Sequence, residues 1–201
     1  MKVSEAVKIT GSMTRTSKMP GLSYSLPAWE CQVGAKLRTV KGSVCSGCYA
    51  LKGNYTRYPA IKAAQYYRLQ SLYNPQWIPA MVAQIKRQKY FRWHDAGDLQ
   101  SVQHLKNIFE VCNRTPGTKH WLPTREVRYT RLMDPAIVPT NLKIIISDHM
   151  IDQETPVKSW PFTSGVSTKS ATCPAPSQGG KCGSCRQCWD RNVARVVYGK
   201  H

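Results

Sequence analysis

The chain has 201 residues, and its 29 lysines and arginines against 11 aspartates and glutamates give a formal net charge of +18. This length suits a single domain, or one domain with a small appendage, and is enough for a hydrophobic core. No run approaches the roughly 18 apolar residues of a membrane span, and the basic N-terminus lacks the apolar stretch of a secretory signal. We therefore expect a cytoplasmic globular protein with no membrane partner, whose eight cysteines are thiols or metal ligands rather than disulfides.

Composition divides the chain into three parts. Residues 1–20 are predicted to form an N-terminal arm that is flexible or wraps the surface and ends at the Met19-Pro20-Gly21 turn. Residues 21–170 alternate strand and helix patterns and include a loop at 30–53 that is rich in Gly, Ser and Cys. Residues 171–201 are predicted to be a Cys-rich segment packed on the same domain, with a short helix at 189–197.

Strand patterns alternate with helix patterns through the central part. Helices are predicted at 58–72, 74–85 and 99–112, with a short one after residue 126, and strands at 22–29, 90–93, 119–122, 142–146 and 162–166. This alternation predicts an α/β protein with a parallel sheet, either an open layer or a partial or reduced (β/α) barrel.

Polar residues follow the ends of successive predicted strands. In parallel α/β folds these loops meet on one edge of the sheet and form the site. Asp98 is also suited to be the N-cap of the helix that begins at Leu99, and Arg125 to pair with Glu126 or to bind a carboxylate or phosphate. The candidate catalytic residues at this edge are His94, Asp95, Asp98, Arg125 and His149.

The cysteines form two sets. We call Cys31, Cys45 and Cys48 the loop set, and Cys173, Cys182, Cys185 and Cys188 the tail set; Cys112 falls on the apolar face of a predicted helix and is expected in the core. Two thiolates with two residues between them can reach the same metal centre through a tight turn. Three ligands leave one iron of a 4Fe–4S cluster open, whereas four close a cluster or a zinc site. A single centre with ligands from both sets is the competing arrangement.

Four motifs together resemble a known family. CSGCYA at 45–50, RWHDAGDL at 92–99, HWLPTRE at 120–126 and GKCGSCRQCW at 180–189 resemble the phage family called gene product eighty-eight. The resemblance covers residue 17 to the C-terminus. It implies a phage protein that works in the bacterial cytoplasm.

The loop set is also similar, more distantly, to the cluster loop of radical S-adenosylmethionine (SAM) enzymes, in which a cysteine pair is followed by an aromatic residue. In that superfamily three cysteines hold a 4Fe–4S cluster, and SAM chelates its open iron. The resemblance implies a barrel of the radical SAM type, with the segment around Gly97 near the methionine amino group. The cofactor contacts that it implies are Tyr49, Gly97, Asp98, Ser147 and Asp148.

These patterns favour an iron–sulfur protein with one or two 4Fe–4S clusters, which binds SAM or a nucleotide-like small molecule as a redox or radical enzyme. Zinc is the alternative metal for the tail set. The alternative function is a non-enzymatic, metal-stabilised module that binds nucleic acid or a host protein, and a third is an electron carrier. Because the basic residues are scattered rather than gathered in one block, the charge permits nucleic-acid contact without indicating it. The oligomeric state stays open.

Overall fold

Six strands form one sheet, each parallel to its neighbours and in chain order from β1 to β6. The computed structural model describes residues 1–154 and 160–200. The predicted α/β class with a parallel sheet is confirmed. Within the described residues β1 and β6 are the two edges and do not pair, so the sheet is open; the partial barrel of radical SAM type stays a prediction. The strands are β1 Leu22–Tyr24, β2 Tyr90–Trp93, β3 Lys119–Thr124, β4 Leu142–Ser147, β5 Thr163–Ser167 and β6 Arg195–Gly199.

Helices and short 3-10 turns connect the strands. Two of the helices, α5 and α6, pack against each other and supply buried side chains to the main core. The helices are α1 Val3–Thr10, α2 Gln32–Leu37, α3 Asn54–Arg57, α4 Pro59–Ser71, α5 Trp77–Ile85, α6 Val102–Asn113 and α7 Val127–Thr130. In the described residues no helix is both long and apolar enough to cross a bilayer.

The main core lies between the sheet and the helices. Because side chains alternate along a strand, one face of the sheet presents Phe91, Trp93 and Leu122 to Trp77 of α5 and Leu105 of α6. Right-handed crossovers between strands in chain order place their helices on this same face. Removing one such side chain from water contributes about 1.5 to 3 kcal/mol, so this face supplies most of the hydrophobic stabilisation.

The opposite face of the sheet is covered by the C-terminal segment. Trp121 and Ile145 of the sheet pack with Trp189, whose indole Nε1 donates a 2.9 Å hydrogen bond to the Phe91 carbonyl oxygen. Lys143 points from β4 to this face, where its Nζ donates three hydrogen bonds of 2.7–2.8 Å to the carbonyl oxygens of Gln187, Asp190 and Val193. The tail is therefore held against the sheet by a buried amine and a buried indole.

Some predicted elements differ in the structure. Within the predicted N-terminal arm, residues 3–10 form α1, which packs on α5 and buries Ala6; the Lys2 N–H donates to the Glu5 carboxylate at its start. The helix predicted at 189–197 is wrong: β-branched Val196 and Val197 belong to β6, which completes the sheet.

Several predicted boundaries also shift, and α5 begins at Trp77 rather than at residue 74. β1 ends at Tyr24 rather than continuing to residue 29, and a 3-10 turn over Ala28–Glu30 follows Pro27. α6 begins at Val102 because the hydroxyl of Ser101 accepts from the His104 N–H and caps it. Asp98 is therefore not the helix cap, and its carboxylate is free for other contacts.

Candidate functional site

A cavity of about 490 Å³ lies where the carboxyl ends of the strands meet, and both cysteine sets border it. Its lining includes the three cysteines of the loop set and Cys173, Cys182 and Cys188 of the tail set. The other predicted site residues on its lining are Tyr49, His94, Asp95, Gly97, Asp98, Arg125, Ser147 and Asp148. The structure therefore brings these strand-end loops together around one cavity.

The loop set comes from two turns that face each other. Cys31 is the residue just before α2. Cys45 is the second residue of the 3-10 turn Val44–Gly47 and Cys48 follows that turn, where its N–H donates to the Cys45 carbonyl oxygen. A Cβ at Gly34 would lie 2.9 Å from the Cys31 Cβ and 3.8 Å from the sulfurs of both Cys31 and Cys45. Gly34 therefore leaves the space in which these two thiols approach each other.

Glu126 fixes the start of α2 beside Cys31. Its buried carboxylate accepts hydrogen bonds from the backbone N–H groups of Gln32 (3.1 Å) and Val33 (2.8 Å) and forms a 3.3 Å ion pair with Arg128. A carboxylate at a helix N-terminus binds its unpaired N–H groups. Glu126 thus positions Cys31 instead of pairing with Arg125. Gln32 and Glu126 are 94 positions apart in the chain, so no local sequence pattern could predict this contact.

Burial keeps the Cys31 and Cys45 thiols protonated in the absence of a metal. Burial raises the pKa of Cys31 well above its usual range, and the neighbouring Asp98 carboxylate raises it further. Burial also raises the pKa of Cys45, which the nearby Arg125 guanidinium and, more weakly, Arg38 lower in part. The wall therefore already holds two cations close to the thiols.

Asp98 ties two of the strand-end loops together. Its carboxylate accepts from the Thr124 hydroxyl at 2.6 Å, the Arg125 N–H at 2.8 Å and the Leu99 N–H at 2.7 Å. Burial raises its pKa to about 6 in spite of these hydrogen bonds. Gly97 beside it has a φ of +82°, and a Cβ there would lie 2.6 Å from the Leu26 Cβ, so the glycine is explained by packing.

Asp95 is held on the other side of the cavity by hydroxyl groups. Its carboxylate accepts from Ser25 Oγ at 2.9 and 3.0 Å and from Tyr55 Oη at 3.0 Å, while its backbone carbonyl accepts from the Tyr49 hydroxyl. Tyr49, about half exposed, thereby links the turn after Cys48 to the end of β2.

The two predicted catalytic histidines lie in different surroundings. His94 adopts a φ of +55°, and its ring lies 5.2 Å from that of His104 in α6, on the helix side of the sheet. Its two ring nitrogens have no hydrogen-bond partner among the described residues, and burial lowers its pKa well below the usual value. His149 is not part of the cavity lining; its carbonyl oxygen accepts from the Val44 N–H and joins the end of β4 to the loop set.

Asp148 and Ser147 sit at the end of β4 with their own partners. Asp148 Oδ2 forms a 2.6 Å ion pair with Arg195 Nη2, and a Cβ at Gly165 would lie 2.7 Å from both of these atoms. The Ser147 hydroxyl accepts from Ser164 at 3.2 Å. Arg125 Nε donates to the Asp148 carbonyl oxygen, and its two terminal nitrogens have no acceptor in the described part of the chain. Arg125 therefore has donors to offer to a ligand in the cavity.

The tail set surrounds a second, much smaller space. All four of its cysteines line a void of about 20 Å³ beside Val196. The Cys185 N–H donates to the Cys182 carbonyl oxygen, and the Cys182 N–H donates to the Lys18 carbonyl oxygen. Cys188 Sγ lies 3.2 Å from the Tyr198 hydroxyl, and burial raises the Cys188 pKa to about 11.

Arg92 lies between the two sets. Its guanidinium stacks on the Trp121 ring at 4.4 Å and donates to Tyr49 Oη at 3.4 Å and to Met19 Sδ at 3.5 Å. Its charge lowers the pKa of Cys188, although burial raises that pKa by more. In the described residues no group of three His, Cys, Asp or Glu side chains is close enough to hold one metal ion.

The Gene product 88 family model matches residues 2–191 of the chain. The chain belongs to this phage gene-product family. No curated protein and no solved structure matches it.

Membership of the Gene product 88 family covers both cysteine sets, since the match runs from α1 past Cys188. The family description states no activity, so chemistry must be inferred from the site itself. Sequence reasoning found the residues that line the cavity from local motifs. It missed Gly34, Arg92 and Lys143, and it offered Arg125 rather than α2 as the partner of Glu126, because these contacts involve distant parts of the chain.

Proposed function

We propose that this Gene product 88 protein is an iron–sulfur protein of the redox or radical type. Cys31, Cys45 and Cys48 would hold a 4Fe–4S cluster on the wall of the cavity. The observation that supports this most is the convergence of three thiols, from two separate turns, on a cavity of about 490 Å³ at the carboxyl edge of a parallel sheet. Ligand sites in parallel α/β folds lie at this edge, and cavities of this size take small organic molecules.

Three features of the wall suit such a cluster. Gly34 keeps the space between the Cys31 and Cys45 sulfurs free of side-chain atoms. Arg38 and Arg125 lie near Cys45 and offset the negative charge that thiolates bring when they bind iron. Glu126 holds the start of α2, so that Cys31 stays in register with the turn of Cys45 and Cys48. The proposal is supported by the convergence of the thiols on one cavity. The described residues contain no group of three side chains that is already close enough to hold a metal ion.

When bound, the cluster would supply one-electron chemistry next to a small molecule in the cavity. The protein's own groups would position that molecule. The terminal nitrogens of Arg125 are donors for a carboxylate or phosphate, as in a bidentate guanidinium contact. Tyr49 and Arg92 form the wall between the loop set and the tail set. SAM contains a carboxylate and a ribose, and nucleotides contain phosphates and a ribose. These molecules are the ligands to test first.

Asp98 enters the proposal as a positioning residue. All three of its hydrogen bonds are to Thr124, Arg125 and Leu99, so its carboxylate fixes the loop that carries the Arg125 guanidinium. Asp95 acts in the same way on Tyr49 through its carbonyl oxygen and on Tyr55 through its carboxylate.

For the tail set we propose a structural zinc ion. A space of about 20 Å³ is close to that of one water molecule, and a single ion fits it better than a cubane of four irons and four sulfides. Four thiolates form the usual closed site for structural zinc. A second 4Fe–4S cluster is the other outcome that the same measurement would reveal.

Anaerobic purification followed by iron, sulfide and zinc analysis and visible absorption spectroscopy tests the proposal. We expect a brown protein with iron and sulfide in equal amounts, and loss of that colour in Cys48→Ala. Cys112→Ala is the matched control, because Cys112 is buried on α6 within the main core and belongs to neither set. A colourless wild-type protein that contains zinc alone would refute the iron–sulfur proposal.

A separate experiment tests the narrower radical SAM hypothesis. SAM added to the reduced protein should change the EPR spectrum of the loop cluster if it binds there. An unchanged spectrum, with the cluster present, would remove SAM as the ligand and leave an iron–sulfur protein that binds another small molecule.

A further inference from the structure

One long segment of the chain contains basic residues and no acidic ones. Residues 31–94 contain 11 lysines and arginines and none of the 11 acidic residues, so the rest of the chain holds 29 − 11 = 18 basic and all 11 acidic residues. This segment includes the helices α2 to α5. Much of its charge is exposed, including Lys52, Arg57 and Lys62.

The outward face of α4 combines this charge with aromatic rings. Lys62 and Tyr66 lie four residues apart on α4, and Tyr58, the N-cap residue four positions before Lys62, begins the row; all three are exposed. Four residues advance about 6 Å along a helix axis, so the row alternates aromatic, cationic and aromatic groups over about 12 Å. Arg57, the last residue of α3, adds a cation at the start of the row.

The row ends on an aromatic pair. The rings of Trp29 and Tyr66 have centroids 5.5 Å apart, and the Trp29 Nε1–H donates to Tyr66 Oη at 2.7 Å. Glu30, whose carboxylate accepts from Tyr66 Oη at 3.4 Å, is the acidic group that contacts this end. Since Tyr58 and Tyr66 are each more than two-fifths exposed, a large part of each ring is available to another molecule.

We propose that Arg57, Tyr58, Lys62, Tyr66 and Trp29, the α4 surface, bind single-stranded nucleic acid. The two cations match the phosphates, and the rings match the faces of unpaired bases. A duplex also presents phosphates, but its base faces are stacked on one another inside the helix. The alternation of rings and charges therefore favours the single strand. The α4 surface contains no residue of either cysteine set, and the inference does not depend on a bound metal.

Fluorescence anisotropy with a labelled deoxythymidine 20-mer tests the proposal, with single-stranded RNA and a DNA duplex as comparators. We expect single strands to bind more tightly than the duplex, with an affinity that falls as salt rises. Tyr58→Ala with Tyr66→Ala should weaken binding about tenfold or more and leave the salt dependence unchanged, because stacking involves no ion release. Arg57→Gln with Lys62→Gln should reduce the slope of log K against log salt by roughly 1.4, about 0.7 for each phosphate contact.

Matched controls separate the α4 surface from general basicity and from misfolding. Tyr73→Ala removes a tyrosine that is 85% exposed outside the row, and Lys106→Gln removes an exposed lysine on α6; both should bind like the wild type. Tyr58→Phe with Tyr66→Phe keeps the rings and should restore binding. Equal loss in the controls, preference for the duplex, or no binding at low salt would overturn the proposal, whatever the iron content of the same samples.

Discussion

The two cysteine sets border the same cavity but are built differently. The loop set lies on an open wall of a space of about 490 Å³, whereas all four tail cysteines surround a void of about 20 Å³. The loop set has Arg38 and Arg125 nearby, and the tail set is attached to the sheet through the Lys143 amine and the Trp189 indole. The difference suggests two tasks: an accessible centre for a ligand, and a closed centre that holds the tail over the sheet.

The largest expected effect comes from Gly34→Ala, which fills the space between two loop-set sulfurs. The new Cβ would lie 2.9 Å from the Cys31 Cβ, closer than real contacts allow. We expect nearly complete loss of iron and sulfide, with the zinc of the tail set retained. Gly47→Ala is the control, because a Cβ there has nothing within 4 Å. If both variants keep their iron, the loop set does not hold the cluster.

Lys143→Met should affect the tail set instead. It leaves three carbonyl oxygens without their charged donor and should reduce the free energy of unfolding by about 3 to 4 kcal/mol. Urea denaturation and metal analysis would measure this, with early loss of zinc at urea concentrations where the iron is still bound. Lys106→Met, at an exposed lysine, should change neither quantity. A simultaneous loss of both metals would contradict two separately held centres.

The grouping of the cysteines could be predicted from sequence because it depends on tight turns of two residues. The strand-end loops could be placed on one edge because parallel topology requires it. The position of the tail over the sheet could not be predicted, because it depends on contacts such as that of Lys143 with Gln187, which are 44 residues apart. Val196 in β6 was likewise assigned to a helix, since a five-residue edge strand is specified mainly by its pairing with β5.

The contacts that each side chain makes could not be predicted from the sequence either. His94 follows β2 as expected, but its φ of +55° goes with a ring that packs against His104 of α6. Asp98 lies on the cavity lining, and its partners Thr124 and Arg125 come from the next strand and loop. Residue spacing indicates which loop a group belongs to, whereas its contacts depend on the assembled sheet.

Acid should unfold both regions together, because the buried histidines belong to the shared core. Burial lowers the pKa of His104 and His120 to about 3 each, so below about pH 6.5 the unfolded chain binds protons that the folded chain does not. Stability should therefore decrease as the pH falls, by about 2 kcal/mol for each ring between pH 7.5 and 5.

Asp98 acts in the opposite direction, since its pKa is raised to about 6 in the folded chain, so that these three groups together give a loss of about 2 to 3 kcal/mol. Burial also lowers the pKa of His94 well below its usual value, which adds to the loss. Urea midpoints at the two pH values measure the sum, and His104→Leu should reduce the dependence. An unchanged dependence in His104→Leu would show that the ring is not the group that titrates.

Arg125→Gln should give the smallest effect, and only on the loop set. Loss of a positive charge near Cys45 should make the reduction potential of the loop cluster more negative, on the order of tens of millivolts. Redox titration followed by EPR measures the shift. Arg131→Gln, at an exposed arginine, is the control. A shift of equal size in both variants would show that net charge, and not position, sets the potential.

The most direct test of two centres with different tasks is the iron, sulfide and zinc content of anaerobically purified Cys48→Ala and Cys185→Ala. Cys185 lines the small void and not the large cavity, so it belongs to the tail site alone. We predict that Cys48→Ala loses iron and sulfide and keeps zinc, and that Cys185→Ala loses zinc and keeps iron and sulfide. Loss of the same metal in both variants would contradict the account, because it would mean that one centre draws ligands from both sets.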